Sequence, residues 1–196
     1  MKYTQIPTDT FANIQLNAGV LLSSFAPATA TISAANIIGA TTGGINFSAK
    51  PTYEDFGADI DNCPKNTMEL KKLVEWEVMM SGTFVTVTAA LAEMLVGAGD
   101  TSNTKITPRN DIKDSDFEDV WWVGDYSDKN GATNGGFVAI HLINGLSTGG
   151  FSMKSSDKAK GTFDFEFTGH YSIEAQDTVP FEVYVKTGTA EPSSSS

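Results

Sequence analysis

The sequence predicts a mainly β protein, an antiparallel β-sandwich or barrel with one flanking α-helix. Apolar and polar residues alternate in the stretches WEVMM, FDFEF and FEVYV, as expected for strands with one buried face. Clusters of Gly, Pro, Asn and Asp separate the apolar stretches, which is typical of turns and loops between strands. In Ala89–Val96, by contrast, apolar residues recur at spacings of three and four, which is the period of an amphipathic helix.

The first third of the chain is predicted to contain an arm, strands and a long loop. Residues 1–13 are polar and indicate an extended N-terminal arm. The apolar segment 14–25 is expected to pair as a strand. Gly43-Gly44 is expected to turn the chain between two short strands. Residues 51–67 contain Pro, Gly, Asp and Asn throughout, so we expect a long loop there.

The remainder is predicted to hold the best-defined elements. A strand is expected over 75–87, with a bulge or bend at Gly82. The helix that follows has Thr88 as its expected N-cap and Gly97 as its expected C-cap. A polar connection is predicted over 99–119, then further strands at 120–124, 136–143, 162–173 and 179–186. The chain therefore divides into an arm (1–13), one domain (14–187) and a disordered tail (188–196).

Alternation also assigns faces to the strands. Phe163, Phe165 and Phe167 are predicted to point inward, as are Trp76, Val78 and Met80 in the earlier strand and Phe181, Val183 and Val185 in the last one. The adjacent Trp121 and Trp122 must face opposite sides, one toward the core and the other toward an interface or a loop.

The outer positions of the same strands are mainly acidic, and two interpretations of them stay open. The acidic residues are Glu77, Asp164, Glu166 and Glu182. Half-buried antiparallel sheets have a solvated face of this kind. Alternatively, the carboxylates face a negatively charged object that must not adhere, because like charges repel.

Composition limits the classes of function. The chain has 196 residues, 13 basic and 24 acidic, giving a net charge of −11 that repels phosphates at long range. Its single cysteine, Cys63, allows no disulfide within the chain and at most one thiolate for zinc. No apolar run approaches the roughly 20 residues of a membrane span, and the N-terminus has no apolar signal region. We therefore expect a soluble protein that is made in the cytoplasm and does not enter a membrane.

The candidate catalytic and metal motifs fail on context. Residues 145–149, GLSTG, match a nucleophile elbow, but turn residues follow them where that motif needs a helix. The loop DYSDKNG has the wrong spacing for a calcium loop, although a weaker cation site there stays open. His141, His170 and Cys63 are too scattered for a zinc signature. We expect no enzyme activity, no catalytic residues and no cofactor.

Three segments, in the same order, resemble the major tail protein, or tail tube protein, of long-tailed bacteriophages that infect Gram-positive bacteria. They are MELKKLVEWEVMMSGTF (68–84), WWVGDYSDKNGATNGGF (121–137) and TFDFEFTGHYSIEAQDTVPFEVYV (162–185). The similarity runs from about residue 11 to residue 184, and it lies in these long segments rather than in any one diagnostic motif.

The resemblance implies a structural protein of the virion tail. In that family a β-sandwich or barrel with one flanking helix forms hexameric rings, and the rings stack through loops and arms into a tube around a tape-measure protein. Tail tip and terminator proteins are the other implied partners. DNA passes through a negative lumen without specific binding, so Glu77, Asp164, Glu166 and Glu182 become candidates for the lumen face.

Apolar residues that a monomer covers poorly are candidates for contacts between subunits. They are Ile14, Leu16, Val20 and Leu21 near the N-terminus, and Tyr53 and Phe56 in the long loop. Residues 14–22 could equally be an ordinary core strand. A monomeric immunoglobulin-like β-sandwich that binds to or decorates a virion is the alternative function.

Overall fold

The structure, a computed structural model, describes residues 6–7, 10–126 and 135–188, with the backbone alone at 11, 12 and 126. Most of the predicted arm, the loop 127–134 and the predicted tail beyond 188 lie outside these residues. The described part contains eleven strands and one α-helix, α1 (Ala89–Val96). The strands are β1 (Gln15–Leu22), β2 (Ile37–Gly39), β3 (Thr41–Asp55), β4 (Lys71–Phe84), β5 (Gly99–Ser102), β6 (Lys105–Pro108), β7 (Glu118–Tyr126), β8 (Gly136–Ser147), β9 (Ser152–Lys154), β10 (Thr162–Gly169) and β11 (Phe181–Lys186). Short 3-10 turns lie at Thr10–Asn13, Ala34–Asn36, Met68–Leu70 and Asp114–Asp116.

Nine of these strands form one antiparallel sheet whose two ends are joined by the chain. The hydrogen-bonded order is β2-β1-β7-β8-β10-β4-β3, with β11 added to β8 and β9 to β10. Only Ala40 separates β2, at one end of this path, from β3, at the other. Its carbonyl accepts from the amide of Val85 at 2.8 Å, and its amide donates to Thr86 Oγ1 at 3.0 Å. The prediction of an antiparallel β-sandwich with one flanking helix is confirmed.

A main core fills the space between the two halves of the folded sheet. The rings of Phe84 and Phe165 lie 4.5 Å apart, and that of Phe167 lies 5.1 Å from Phe165. Leu21 of β1 reaches this core from the opposite half, and Leu91 and Leu95 reach it from α1. Val78 and Met80 are fully buried and Trp76 packs at the edge, so the inward faces predicted for β4 and β10 are confirmed.

A second, smaller cluster lies on the outer face of β1, β7 and β8. We call it the outer cluster; its buried members are Leu22, Phe25, Trp121, Val123, Phe137 and Ala139. The segment 23–36, which leaves β1 and returns at β2, covers this face. Phe25 in that segment packs against the rings of Trp121 at 5.7 Å and Phe137 at 5.3 Å. Trp122 points the other way, toward the main core, so the opposite orientation of the two tryptophans is confirmed.

The prediction of a turn at Gly43-Gly44 is wrong, because both glycines lie inside β3. Their φ angles are +78° and +83°, and the register passes from Thr42↔Thr83 directly to Ile45↔Gly82. The two glycines therefore bulge out of β3, and the bulge predicted at Gly82 lies on the partner strand. Gly82 itself allows close packing, since a Cβ there would lie 2.9 Å from Ile45 Cδ1 and 3.0 Å from the ring of Phe165.

The helix prediction is confirmed at both ends. The side chain of Thr88 accepts a hydrogen bond from the amide of Leu91 at 3.1 Å, as an N-cap should. Gly97 has a φ of +79°, the region that favours glycine, and its amide donates to the carbonyl of Glu93. The predicted polar connection 99–119 is more ordered than expected, since it contains the β5–β6 hairpin.

The predicted loop 51–67 begins as strand. β3 and β4 stay paired as far as Asp55↔Lys71, although the outermost residues of β4, up to Glu75, are all exposed. The two strands thus form a long hairpin whose outer part extends beyond the core. We call residues 54–70 the hairpin tip.

The faces predicted for β11 are wrong beyond Phe181. Phe181 packs at the edge of the main core, 5.4 Å from the ring of Trp76. Val183 and Val185 are more than half exposed, whereas Tyr184 packs on the outer cluster. Among the described strands β11 pairs only with β8, and no described residue buries Val183 or Val185 beyond Phe181.

Truncating Phe84 to alanine should lower the free energy of unfolding by roughly 3–5 kcal/mol, because the side chain is fully buried where α1, β2 and β10 meet. Phe56→Ala is the matched control, since Phe56 is 53% exposed, and it should cost under about 0.5 kcal/mol. Urea unfolding followed by circular dichroism measures both values. Equal losses of unfolding free energy in the two variants would contradict the assignment of Phe84 to the core.

Candidate functional surfaces

Glu77, Asp164 and Glu166 lie on the face of the sheet that points away from the main core. Asp164 pairs with Thr83 and Glu166 with Ser81 across β10 and β4. Asp164 accepts a hydrogen bond from Thr83 Oγ1 at 2.8 Å, and Glu166 accepts one from Thr148 Oγ1 at 3.1 Å. Alternation along β4 places Glu77 on the same side. The structure thus brings three of the four predicted carboxylates onto one outward face of neighbouring strands.

Glu182, the fourth carboxylate, belongs to a separate polar group. It lies on β11 opposite His141 of β8, and its Oε2 is 3.4 Å from His141 Nδ1. The other ring nitrogen of His141 lies 3.0 Å from Asp119 Oδ2 on β7. The imidazole stacks flat on Trp121, with ring centroids 3.9 Å apart. This polar group links three strands next to the outer cluster.

Hydrogen bonding changes the acidity of this group. The hydroxyl of Tyr184 donates to Glu182 Oε2, and this bond is the main reason that the pKa of the Glu182 carboxyl lies below its usual value. The contact with His141 acts in the same direction. The phenol must keep its proton to donate this bond, so the same contact raises the pKa of Tyr184. Glu182 is therefore held by specific neighbours and is not simply solvated.

The four N-terminal candidates differ in what they can offer to a second subunit. Leu21 is fully buried in the main core of its own chain, as expected if β1 is an ordinary core strand. Val20 packs against the outer cluster and Leu16 is half-buried. Ile14, which precedes β1, is 40% exposed and retains free apolar surface.

The two candidates near the hairpin tip are both exposed. Tyr53 and Phe56 expose about half of their surface, and the ammonium group of Lys71 lies 5.0 Å from the ring centroid of Tyr53. Other apolar side chains around them are also exposed; these are Ile60, Met68, Leu73 and Val74. The hairpin tip and the paired residues next to it therefore present several apolar side chains that the described residues leave 40–79% exposed.

Asp55 gives the hairpin tip a defined shape. Its carboxylate accepts hydrogen bonds from the amide of Asn66 at 2.8 Å and from that of Gly57 at 3.0 Å. These two bonds, that from Asn66 first, lower the pKa of the Asp55 carboxyl. The amide of Phe56 adds a bond to the carbonyl of Leu70. One carboxylate thus ties together both sides of the tip.

The structure shows the surroundings of the serine and histidine motifs that the sequence offered. Ser147 ends β8 and donates its hydroxyl proton to the carbonyl of Leu95 at 2.8 Å, and the chain continues into β9 rather than into a helix. His170 Nδ1 lies 3.2 Å from the carbonyl of Asn144. No group of three or more His, Cys, Asp or Glu side chains in the described part is arranged to hold a metal ion. The loop 127–134, which contains most of the tested calcium motif, lies outside it.

Comparison with known proteins adds no identification. No family model matches the sequence, and no curated protein matches it. Within the described residues, no helix has the length and apolar character needed to cross a membrane.

Sequence reasoning missed two arrangements. The Asp119–His141–Glu182 contacts depend on pairing between β7, β8 and β11, which residue types alone do not reveal. Arg109, whose side chain is 10% exposed, contacts three carboxylates in the connection predicted to be a plain polar loop; these are Asp100, Asp111 and Asp116. In the sequence, the group around Arg109 is indicated by a single arginine within an acidic segment.

Tyr184→Phe should raise the pKa of the Glu182 carboxyl toward its usual value, since the main hydrogen bond that favours the ionised form is removed. Carbon-detected NMR titration of the glutamate carboxyl groups measures this shift. Tyr171→Phe is the matched control, because that hydroxyl accepts a hydrogen bond from the amide of Trp76 instead of donating one to a glutamate. An unchanged Glu182 titration in Tyr184→Phe would contradict the assigned contact.

The hairpin tip should lose order in acid before the core does. The pKa of Asp55 is lowered in the folded tip, so ionised Asp55 stabilises the tip above the unfolded pKa of about 3.9, and this contribution disappears as the pH falls through the folded value. Asp55→Ala should abolish the exchange protection of the Gly57 and Asn66 amides at neutral pH. Hydrogen exchange with NMR detection measures this, and Asp59→Ala is the matched control. Retained protection in Asp55→Ala would refute the role of this carboxylate.

Proposed function

We propose that this chain is a structural subunit of a bacteriophage tail tube, which assembles as stacked hexameric rings in the virion tail and conducts DNA during ejection. The proposal includes a tape-measure protein, a tail tip protein and a terminator protein as partners, and assigns no catalytic role. Two kinds of support combine here: the resemblance of three long segments to tail tube proteins, and surfaces of the folded chain that suit assembly.

The hairpin tip is the observation that carries the proposal. A chain that worked as a monomer would expose Tyr53, Phe56 and their apolar neighbours to water on an extension that contributes nothing to the core. Apolar patches of this kind mark surfaces of association. The tip is also ordered internally by Asp55, which lowers the entropy cost of docking it against another subunit.

The carboxylate face suits the lumen of such a tube. Glu77, Asp164 and Glu166 point outward from adjacent strands, and a wall of like charge repels the phosphates of passing DNA. Glu182, held by Tyr184 and His141, is assigned to the lumen only as part of this proposal. A map of the assembled tube that places these carboxylates away from the channel would contradict this assignment.

Negative-stain electron microscopy and sedimentation velocity of the concentrated protein test the proposal, and rings or hollow tubes are the expected outcome. Replacing Tyr53 and Phe56 together by serine should abolish assembly while leaving the unfolding transition unchanged. Ile173→Ser is the control at an apolar position outside the hairpin tip that is 86% exposed. Monomers at every concentration, even after addition of preformed tail tips, would refute a tube and favour a monomeric binding or decoration module.

A further inference from the structure

The chain carries one strongly exposed basic segment at the end of the sheet opposite to the hairpin tip. We call residues 150–161 the flap; it contains β9 and the turn that follows it. The flap has three lysines and one aspartate in a chain whose net charge is −11. Residues 151–160 are all exposed, and the apolar side chains of Phe151 and Met153 are about half exposed beside the lysines.

The flap is held in a fixed position. Met153 pairs with Phe163 and Lys154 with Thr162, so β9 forms a short edge strand on β10. The ring of Phe151 lies 5.9 Å from that of Phe163, a residue of the main core. The flap thus presents apolar and basic groups together on an anchored surface.

The hairpin tip has the complementary composition. It contains five acidic residues and one lysine, and its apolar residues Phe56 and Ile60 are about half exposed. Glu54 and Asp55 lie opposite Lys72 and Lys71 in the β3–β4 pairing, whereas Asp59 and Asp61 lie beyond the paired strands and flank Ile60. An acidic and apolar surface therefore matches a basic and apolar one.

One chain cannot bring these two surfaces together. β4 starts at the hairpin tip and ends at Phe84, which pairs with Phe163 directly beside β9. Its 14 residues separate the two surfaces by roughly 40 Å at about 3.3 Å per residue. Two copies in the same orientation, placed end to end along β4, would set the tip of one against the flap of the next. A contact between two different surfaces of identical chains stays open when successive copies keep the same orientation, so its repetition generates a stack.

We propose that the hairpin tip of one copy docks on the flap of a second copy, through Asp59 and Asp61 against Lys154, Lys158 and Lys160, around an apolar contact of Phe56 and Ile60 with Phe151 and Met153. This inference rests on the proposed function, because it assigns the contact to the stacking of successive rings. Each exposed ion pair contributes little by itself. The tip–flap contact is repeated around each ring, so the small contributions of its ion pairs add up. Salt screens these charges, so assembly through this contact weakens as the salt concentration rises.

Reversing the charges tests the contact. Asp59→Lys with Asp61→Lys makes the hairpin tip basic, and Lys154→Glu with Lys158→Glu and Lys160→Glu makes the flap acidic. Each set alone should raise the concentration needed for assembly by roughly tenfold or more, because like charges then meet at the contact. Mixing the two variant proteins, or combining both sets in one chain, should restore assembly. Lys105→Glu with Asp177→Lys is the control at exposed sites outside both surfaces.

The two proposals fail in different ways. If wild-type tubes form and neither reversed set impairs them, or if mixing restores nothing, the tip–flap contact is wrong while the tube remains. If the wild type forms no tubes, cross-linking decides: Ser155→Cys places a thiol in the flap, and a bismaleimide should join it to Cys63 in the tip of another copy, giving a ladder of multimers. Cys63→Ser in the same background should remove the ladder. Absence of a ladder with Ser155→Cys overturns the contact.

Discussion

The fold depends on the sharing of one apolar interior by two halves of a single sheet. Phe84, Phe165 and Phe167 lie on the β10–β4–β3 half and Leu21 comes from β1 on the other half, so neither half has a complete core without its partner. Ala40 holds this arrangement because its amide and carbonyl bind the segment after β4 while the chain passes from β2 to β3. Fully burying each Phe contributes on the order of 1.5–3 kcal/mol, and three of them in contact make this interior the main source of cohesion. α1 completes the interior with Leu91 and Leu95.

The inward-facing residues stabilise the fold, and the outward-facing residues determine the chemistry of the surface. The residues that point into the shared interior are apolar and belong to strands buried on one side. The outward positions in the middle of β4 and β10 are polar or acidic except for Met79. The outer cluster supports only the strands it covers, with the segment 23–36 as its lid against water. The hairpin tip and the flap lie beyond both clusters, at opposite ends of the β3–β4 hairpin. Most of their side chains are exposed and can contact another molecule.

Sequence patterns predicted local structure well and long-range structure poorly. The alternation in FDFEF and the caps of α1 rest on period and on nearest neighbours, so both were predictable from residues a few positions apart. Gly43-Gly44 was not, because a turn and a bulge need the same positive φ, and only the pairing of β3 with β4 distinguishes them. Val183 and Val185 were wrongly predicted to be buried, because the core ends at Phe181. Alternation shows which side chains share a face of a strand, but not whether another element covers that face. Local patterns were also insufficient for parts of the candidate surfaces. The exposure of Tyr53 and Phe56 was predicted from the sequence. The burial of Leu21 and the neighbours of Glu182 were not, because they depend on the order of strands in the sheet.

The length of β4 has a consequence for how such a protein can change over time. Burial in this strand begins only at Trp76, so its first five residues and the tip they support contribute little to the unfolding free energy. Selection therefore acts on substitutions in the tip through the contacts that the tip makes, and not through the folding of the chain. Partner preference can therefore diverge between related chains while the interior stays as it is, and a hybrid that carries the tip of one relative on the sandwich of another should remain a foldable protein.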